Sequence, residues 1–177
     1  MPAQASNPKT TRLFTALDIP DDVRTGIDAW GKRALTDDAL RPVASENLHM
    51  TLCFIGRTEP SRVSDAAAAV QELEPVSVRI RLARGPVPKP PRRPRVWALE
   101  ADAPAASEIQ AKLAAALSGA GIYEAESRPF WPHLTVARTR AERGRGGRPQ
   151  RVKKAPSDLP AELLQPFDAV RVSLYRS

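Results

Sequence analysis

Cysteine occurs once in this 177-residue chain, at Cys53, and histidine twice, at His49 and His133. A single thiol excludes an intramolecular disulfide and any structural zinc site built on cysteine pairs, and a chain without a disulfide framework fits a reducing, cytoplasmic setting. No segment approaches the roughly 20 apolar residues of a membrane-spanning helix, and the opening MPAQASNPKT lacks the apolar centre of a signal peptide. No membrane partner is expected. Aromatic residues are also sparse, which leaves few surfaces on which nucleobases could stack. Trp30, Trp97, Phe54, Tyr123 and Tyr175 read as core, whereas Trp131, beside Phe130, is the best placed to meet a base. The length suits one domain with its own core. Residues 1–10 are expected to be disordered, and residues 11–177 to form a single, monomeric domain.

Positive charge is abundant: 27 Lys and Arg against 20 Asp and Glu leave a formal charge of +7. Such an excess favours a polyanionic partner, because Lys and Arg bound to phosphates release condensed counterions. Arg138, Arg140, Arg143, Arg145, Arg148, Arg151, Lys153 and Lys154 crowd a glycine-containing stretch, and Arg84, Lys89, Arg92, Arg93 and Arg95 a proline-rich one. Both read as loops, the first as a basic loop over residues 138–154. The bland alternative is a solvated surface.

Along the chain, residues 12–19 read as a strand, and a helix over 21–34 opens on Asp21 and Asp22, where its dipole favours acidic side chains. Residues 48–56 read as a strand and 60–73 as a helix. Residues 76–83 alternate apolar and polar, the pattern of a half-buried strand. After a proline-rich loop at 85–94, a strand at 95–101 leads to a helix at 103–117, closed by Gly119 and Gly121. Strands at 131–137 and 167–175 complete the order, which has the look of a duplicated unit.

Both histidines are followed two positions later by threonine, Thr51 and Thr135. Thr is nine of 177 residues, so chance would place it there twice in only a few cases per thousand. Residues i and i+2 of a strand share a face. His49 and Thr51 therefore line one side with Cys53 and Ile55, while Leu48, Met50, Leu52 and Phe54 make an apolar face. In the second strand Trp131, His133, Thr135 and Ala137 share a side. Small Cys53 and Ala137 would leave room for a ligand. Two imidazoles flanking one phosphorus can act as general base and general acid, threonine hydroxyls can hold phosphoryl oxygens as charge develops, and Arg138 can add charge-assisted bonds. A lone histidine in an apolar strand is usually a packed core residue; the matched pair argues otherwise. No metal is required, and two histidines without cysteine or carboxylate at ligand spacing make a poor metal site. Cys53 in its apolar setting reads as an inert thiol rather than a nucleophile.

The segments ENLHMTLCFIG (46–56) and RPFWPHLTVAR (128–138) resemble the two signature strands of the two-histidine phosphoesterase superfamily, and within it the RNA 2′,3′-cyclic phosphodiesterase branch, also called 2′-5′ RNA ligase. RLFTALDIPDDVR (12–24), RPRVWALEAD (93–102) and FDAVRVSLYRS (167–177) extend the resemblance over nearly the whole chain. It implies an α+β, bilobal, pseudo-twofold fold: two antiparallel sheets around a central cleft, with helices outside. It further implies hydrolysis of a terminal ribose 2′,3′-cyclic phosphate to a 2′-phosphate without cofactor, on RNA or nucleotides with such ends. His49 and His133 fall on the family's catalytic positions, Thr51 and Thr135 on their partners, and Arg138 on its phosphate-contacting arginine. His133 is taken as base and His49 as acid, with the exchanged roles open. Family members run on past the last strand, so one lobe wall is expected to be built differently here. A noncatalytic RNA-end-binding module and a reversible 2′-5′ ligase are the rival readings.

Overall fold

In the computed structural model, which describes residues 10–177 except 75, 76, 143, 145 and 146, the chain runs through eight strands and three α-helices. Their order is β1 (Thr11–Asp18), α1 (Asp21–Ala34), β2 (Leu40–Pro42), β3 (His49–Thr58), α2 (Val63–Gln71), β4 (Arg79–Lys89), β5 (Val96–Asp102), α3 (Pro104–Gly119), β6 (His133–Thr139), β7 (Phe167–Asp168) and β8 (Arg171–Arg176). All the strand pairings among them are antiparallel. One sheet has the order β3-β1-β8 and the other β2-β6-β5-β4-β7. The triplets β3-β1-β8 and β6-β5-β4 correspond, each with a His-x-Thr strand against the strand that precedes a long helix. This is the α+β, two-sheet pseudo-twofold arrangement expected.

Helix α1 spans the expected residues and buries Ile27, Trp30, Gly31 and Ala34, a stripe at helical spacing. Trp30 also donates its indole N–H to the carbonyl of Asp158 at 3.0 Å. Helix α3 buries Ala106, Ile109, Leu113 and Leu117 and packs on β3 and α2. Strands β3 and β6 meet where the two sheets adjoin. Leu48, Met50, Leu134 and Val136 are almost fully buried behind them. Each such side chain stabilises the fold by about 1.5–3 kcal/mol, and together they fix the depth at which the histidines sit.

Several boundaries differ from the sequence expectation. The proline-rich stretch is not simply a loop: β4 runs on through Gly85, Pro86 and Pro88 to Lys89, after an irregularity between Leu82 and Pro86. Proline is tolerated because β7 pairs only with Arg79 and Ile80, which leaves the rest of β4 an edge where a missing N–H costs no ladder bond. The last expected strand is two strands in different sheets, β7 against β4 and β8 against β1. Consecutive N–H groups at the crossing bond both lobes, Ala169 to the carbonyl of Val78 and Val170 to that of Asp18. The second helix opens as a 3₁₀ turn at Pro60–Arg62 and ends at Gln71. Strand β2 was not anticipated. The expectations of disorder over residues 1–9 and of a strand from Val76, as well as Arg143 and Arg145 of the basic loop, lie outside the described residues.

Candidate active site

The regular alternation read from sequence holds through each His-x-Thr and then breaks in both strands. In the pairing of β1 with β3, Thr15 stands opposite Cys53 and Ala16 opposite Thr51, so Leu52 is an extra residue. In the pairing of β5 with β6, Trp97 stands opposite Ala137 and Ala98 opposite Thr135, so Val136 is the extra one. Such a bulge reverses the facing of everything after it. Side chains and backbone groups elsewhere in the chain satisfy the displaced atoms. The hydroxyl of buried Thr15 accepts the Cys53 N–H at 3.1 Å, and the Val136 carbonyl accepts the N–H of Val43 at 2.9 Å.

The two bulges correct the facing inferred beyond the threonines. Cys53 and Ala137, expected on the histidine side, are turned into the core at 1% and 0% exposure. Burial pushes the Cys53 thiol up, as befits an inert group. Phe54, expected in the core, is 53% exposed. By the same reversal Arg138 swings onto the side of His133 and Thr135.

His49, Thr51, His133, Thr135 and Arg138 line one hollow of about 330 Å³, which Arg41 and Asn47 also border. The structure thus brings together five of the six site residues read from the sequence. The sixth, Trp131, lines an adjoining groove of about 620 Å³ with Phe54 and Phe130, and Thr51 and His133 border both spaces.

Backbone carbonyls two residues upstream orient both imidazoles. His133 Nδ1 lies 2.7 Å from the Trp131 carbonyl. A carbonyl can only accept, so Nδ1 carries the proton and Nε2 is left as the acceptor of the neutral ring. The His49 ring makes the same kind of bond to the carbonyl of Asn47. Arg24, reaching across from α1, donates to the carbonyls of Ser45 and Leu48 at 3.0 and 3.2 Å and so fixes the 3₁₀ turn from which that carbonyl projects.

A second layer was not legible in the sequence. Asp18 is the register partner of His49, and Glu100 that of His133. Each carboxylate holds the aromatic ring that stacks on its histidine. Asp18 accepts from the Tyr175 hydroxyl and, at 2.8 Å, from Ser173 Oγ. Tyr175 and Phe14 stack on His49 with centroids 5.4 and 4.9 Å away. Glu100 accepts the Trp131 indole N–H at 3.0 Å, and that ring lies 3.9 Å from His133 at 17°. The two carboxylates differ in setting. The Asp18 side chain is 8% exposed and lies 2.9 Å from the Arg171 guanidinium, whereas Glu100 is 42% exposed and lies 3.9 Å from the Lys89 ammonium. Burial lowers both histidines below their ordinary value, with the backbone bond and the carboxylate opposing it in each case. Burial, with Asp18 beside it, pushes the Tyr175 hydroxyl up to about 12.

Comparison with known proteins agrees with this geometry. The family model of the 2′-5′ RNA ligase superfamily matches residues 19–176. An RNA 2′,3′-cyclic phosphodiesterase of Escherichia coli K12 is 30% identical over 133 residues, covering 74% of this chain and 73% of the relative. A protein of the same name from Thermus thermophilus is 30% identical over 139 residues, covering 73% and 69%. Among solved structures, E. coli LigT complexed with 3′-AMP superposes with a TM-score of 0.73 at 23% identity, covering 96% of this chain and 89% of that one, a likeness of fold.

Proposed function

Since the chain belongs to the 2′-5′ RNA ligase superfamily, we propose that it is an RNA 2′,3′-cyclic phosphodiesterase that opens a terminal cyclic phosphate to a 2′-phosphate. One observation carries the reading: two imidazoles, two threonines and an arginine, drawn from strands far apart in sequence, border a single hollow. In the displacement, His133 Nε2 takes a proton from water as its oxygen attacks phosphorus. The bond from phosphorus to the 3′ oxygen breaks, and His49, as imidazolium, gives that oxygen a proton. The Thr51 and Thr135 hydroxyls and the Arg138 guanidinium hold the non-bridging oxygens, where charge accumulates.

We assign His49 as the acid and His133 as the base; Asp18, 2.9 Å from the Arg171 guanidinium, and Glu100, 3.9 Å from the Lys89 ammonium, each favour the imidazolium of their own histidine. The terminal base lies in the adjoining groove, against Phe54 and the free edge of Trp131. Among the described residues no three His, Cys, Asp or Glu side chains cluster as a metal-ligand set.

The test is turnover of a nucleoside 2′,3′-cyclic phosphate and of a cyclic-ended RNA with EDTA present, followed by identification of the product. His49→Ala and His133→Ala are each expected to lower kcat by about 10²–10⁴-fold. Variants that both retain the wild-type rate, or a 3′-phosphate product, would overturn the proposal.

A further inference from the structure

Four arginines converge beside the hollow that holds the histidines. Arg41 of β2 stands directly opposite Arg138 of β6, and both border that hollow. Like charges opposed across neighbouring strands repel, and neither guanidinium has a carboxylate partner among the described residues. A second depression, of about 540 Å³, opens from the same wall. Arg41 and Arg138 border it too, joined by Arg95 and Arg140.

The backbone there is tightly held. Thr139 N–H donates to the Arg95 carbonyl at 2.9 Å, and Arg140 N–H to that of Ala39 at 2.8 Å. Arg140 Nε donates to the Asp38 carbonyl at 3.1 Å, which fixes the direction of its exposed guanidinium. Strand β2, the end of β6 and the lead into β5 thus present four cations to one concavity. A cross-strand cation pair without a counter-charge costs stability unless an anion bridges it, and guanidinium forks match phosphate oxygens.

We propose that this depression binds the phosphodiester next upstream of the reacting one, so that the preferred substrate is an oligoribonucleotide with a cyclic end rather than a free cyclic mononucleotide. The proposal rests on the cyclic phosphodiesterase reading and adds a second anion subsite to it. Ribose chemistry fits the layout. The base on C1′ and the chain leaving C4′ depart from opposite ends of the edge that carries the cyclic phosphate. The aromatic groove joins the central hollow through Thr51 and His133, and the arginine depression joins it through Arg41 and Arg138. Base and chain therefore have separate exits. Beyond Pro149 lies a depression bordered by Arg92, Arg93, Arg151 and Lys153, with Arg148 paired to Glu142 at 4.0 Å, where further phosphates of a longer chain would run.

The experiment compares a nucleoside 2′,3′-cyclic phosphate with a tetranucleotide ending in the same cyclic nucleotide, on the full chain and on the double variant Arg95→Ala, Arg140→Ala. Wild type should favour the tetranucleotide in kcat/KM, and the variant should lose about tenfold of that preference. Its dependence of log(kcat/KM) on log salt for the tetranucleotide should become shallower by about 0.7 for each phosphate left without its arginine. Arg95→Lys, Arg140→Lys should keep the salt dependence and part of the preference, which separates missing charge from a damaged loop. Equal kcat/KM and equal salt dependence for the two substrates on wild type would overturn the subsite while leaving hydrolysis intact. Absence of hydrolysis of either substrate would overturn the catalytic reading instead.

Discussion

Each imidazole in the central hollow is held on three sides: a backbone carbonyl behind one nitrogen, an aromatic ring against its face, and a carboxylate that anchors that ring. The arrangement is repeated in the two halves from different residues, Tyr175 and Asp18 for His49, Trp131 and Glu100 for His133. It makes the acid and base assignments separable by experiment. Both histidines are lowered by burial, so both limbs of the bell-shaped kcat/KM profile, which reports the free enzyme, should lie on the acid side of their ordinary value of 6.5. Each carboxylate raises its own histidine. With His49 as the proposed acid, Asp18→Asn is therefore expected to move the alkaline limb to lower pH. With His133 as the proposed base, Glu100→Gln should move the acidic limb in the same direction. Opposite limb assignments in the two pH profiles would exchange the roles of the histidines.

Strands β3 and β6 each carry one residue too many directly after His-x-Thr, and that surplus decides what faces the cleft. Placing the extra residue directly after His-x-Thr turns the fifth position beyond each histidine toward the cleft. In β6 that position is Arg138, a guanidinium bordering the hollow; in β3 it is Phe54, an exposed ring. The halves are alike in backbone and unlike in chemistry, as an asymmetric nucleotide requires. A second irregularity in β3, between Leu13 and Phe14 of its partner strand, places Gly56 in the left-handed region at φ 84°. Space is not the constraint there, since nothing lies within 4 Å of a Cβ built at this position. Gly56→Ala should therefore destabilise the fold by about 1–2 kcal/mol through backbone conformation alone. Urea unfolding is the measurement, and an unchanged midpoint would contradict it.

Over the molecule as a whole, Arg92, Arg93 and Arg95 of one basic stretch and Arg138, Arg140, Arg151 and Lys153 of another, far apart in sequence, border the same two depressions and give the positive charge a direction. The buried ionisable groups set a pH window for stability. A histidine whose pKa is lowered by folding binds its proton more readily when unfolded, so acid favours unfolding below 6.5. Tyr175 has the opposite sign. Its hydroxyl is raised from 10.0 to about 12, so the unfolded chain loses that proton first and stability falls as pH climbs above 10. The Cys53 thiol, raised from 9.0, and the Tyr123 hydroxyl, raised from 10.0, act in the same sense as Tyr175, so thermal unfolding should show a plateau from 6.5 to about 9 and decline on both sides. Tyr175→Phe should make the decline above pH 10 shallower, and a decline that persisted unchanged would exclude Tyr175 as a source of it.

The α+β class, helix α1 and four of the site residues were legible in the linear chain, because strand alternation and helical spacing are local consequences of backbone geometry and survive whatever packs around them. That is why His49 with Thr51, and His133 with Thr135, could be placed on shared faces before any fold was known. Arg138 was legible as a phosphate-binding candidate at the strand end, but not the reason it reaches the hollow. The bulges depend on groups that satisfy displaced backbone atoms from elsewhere, the Thr15 hydroxyl and the Val43 N–H, and no pattern within β3 or β6 announces them. Cys53, Ala137 and Phe54 were misplaced for this one cause. Arg41, Asp18, Glu100 and Tyr175 stayed invisible for a related one. Their significance lies in which residue stands opposite across a strand pair or stacks on a ring, and long-range hydrogen bonding and packing, rather than local periodicity, set that register.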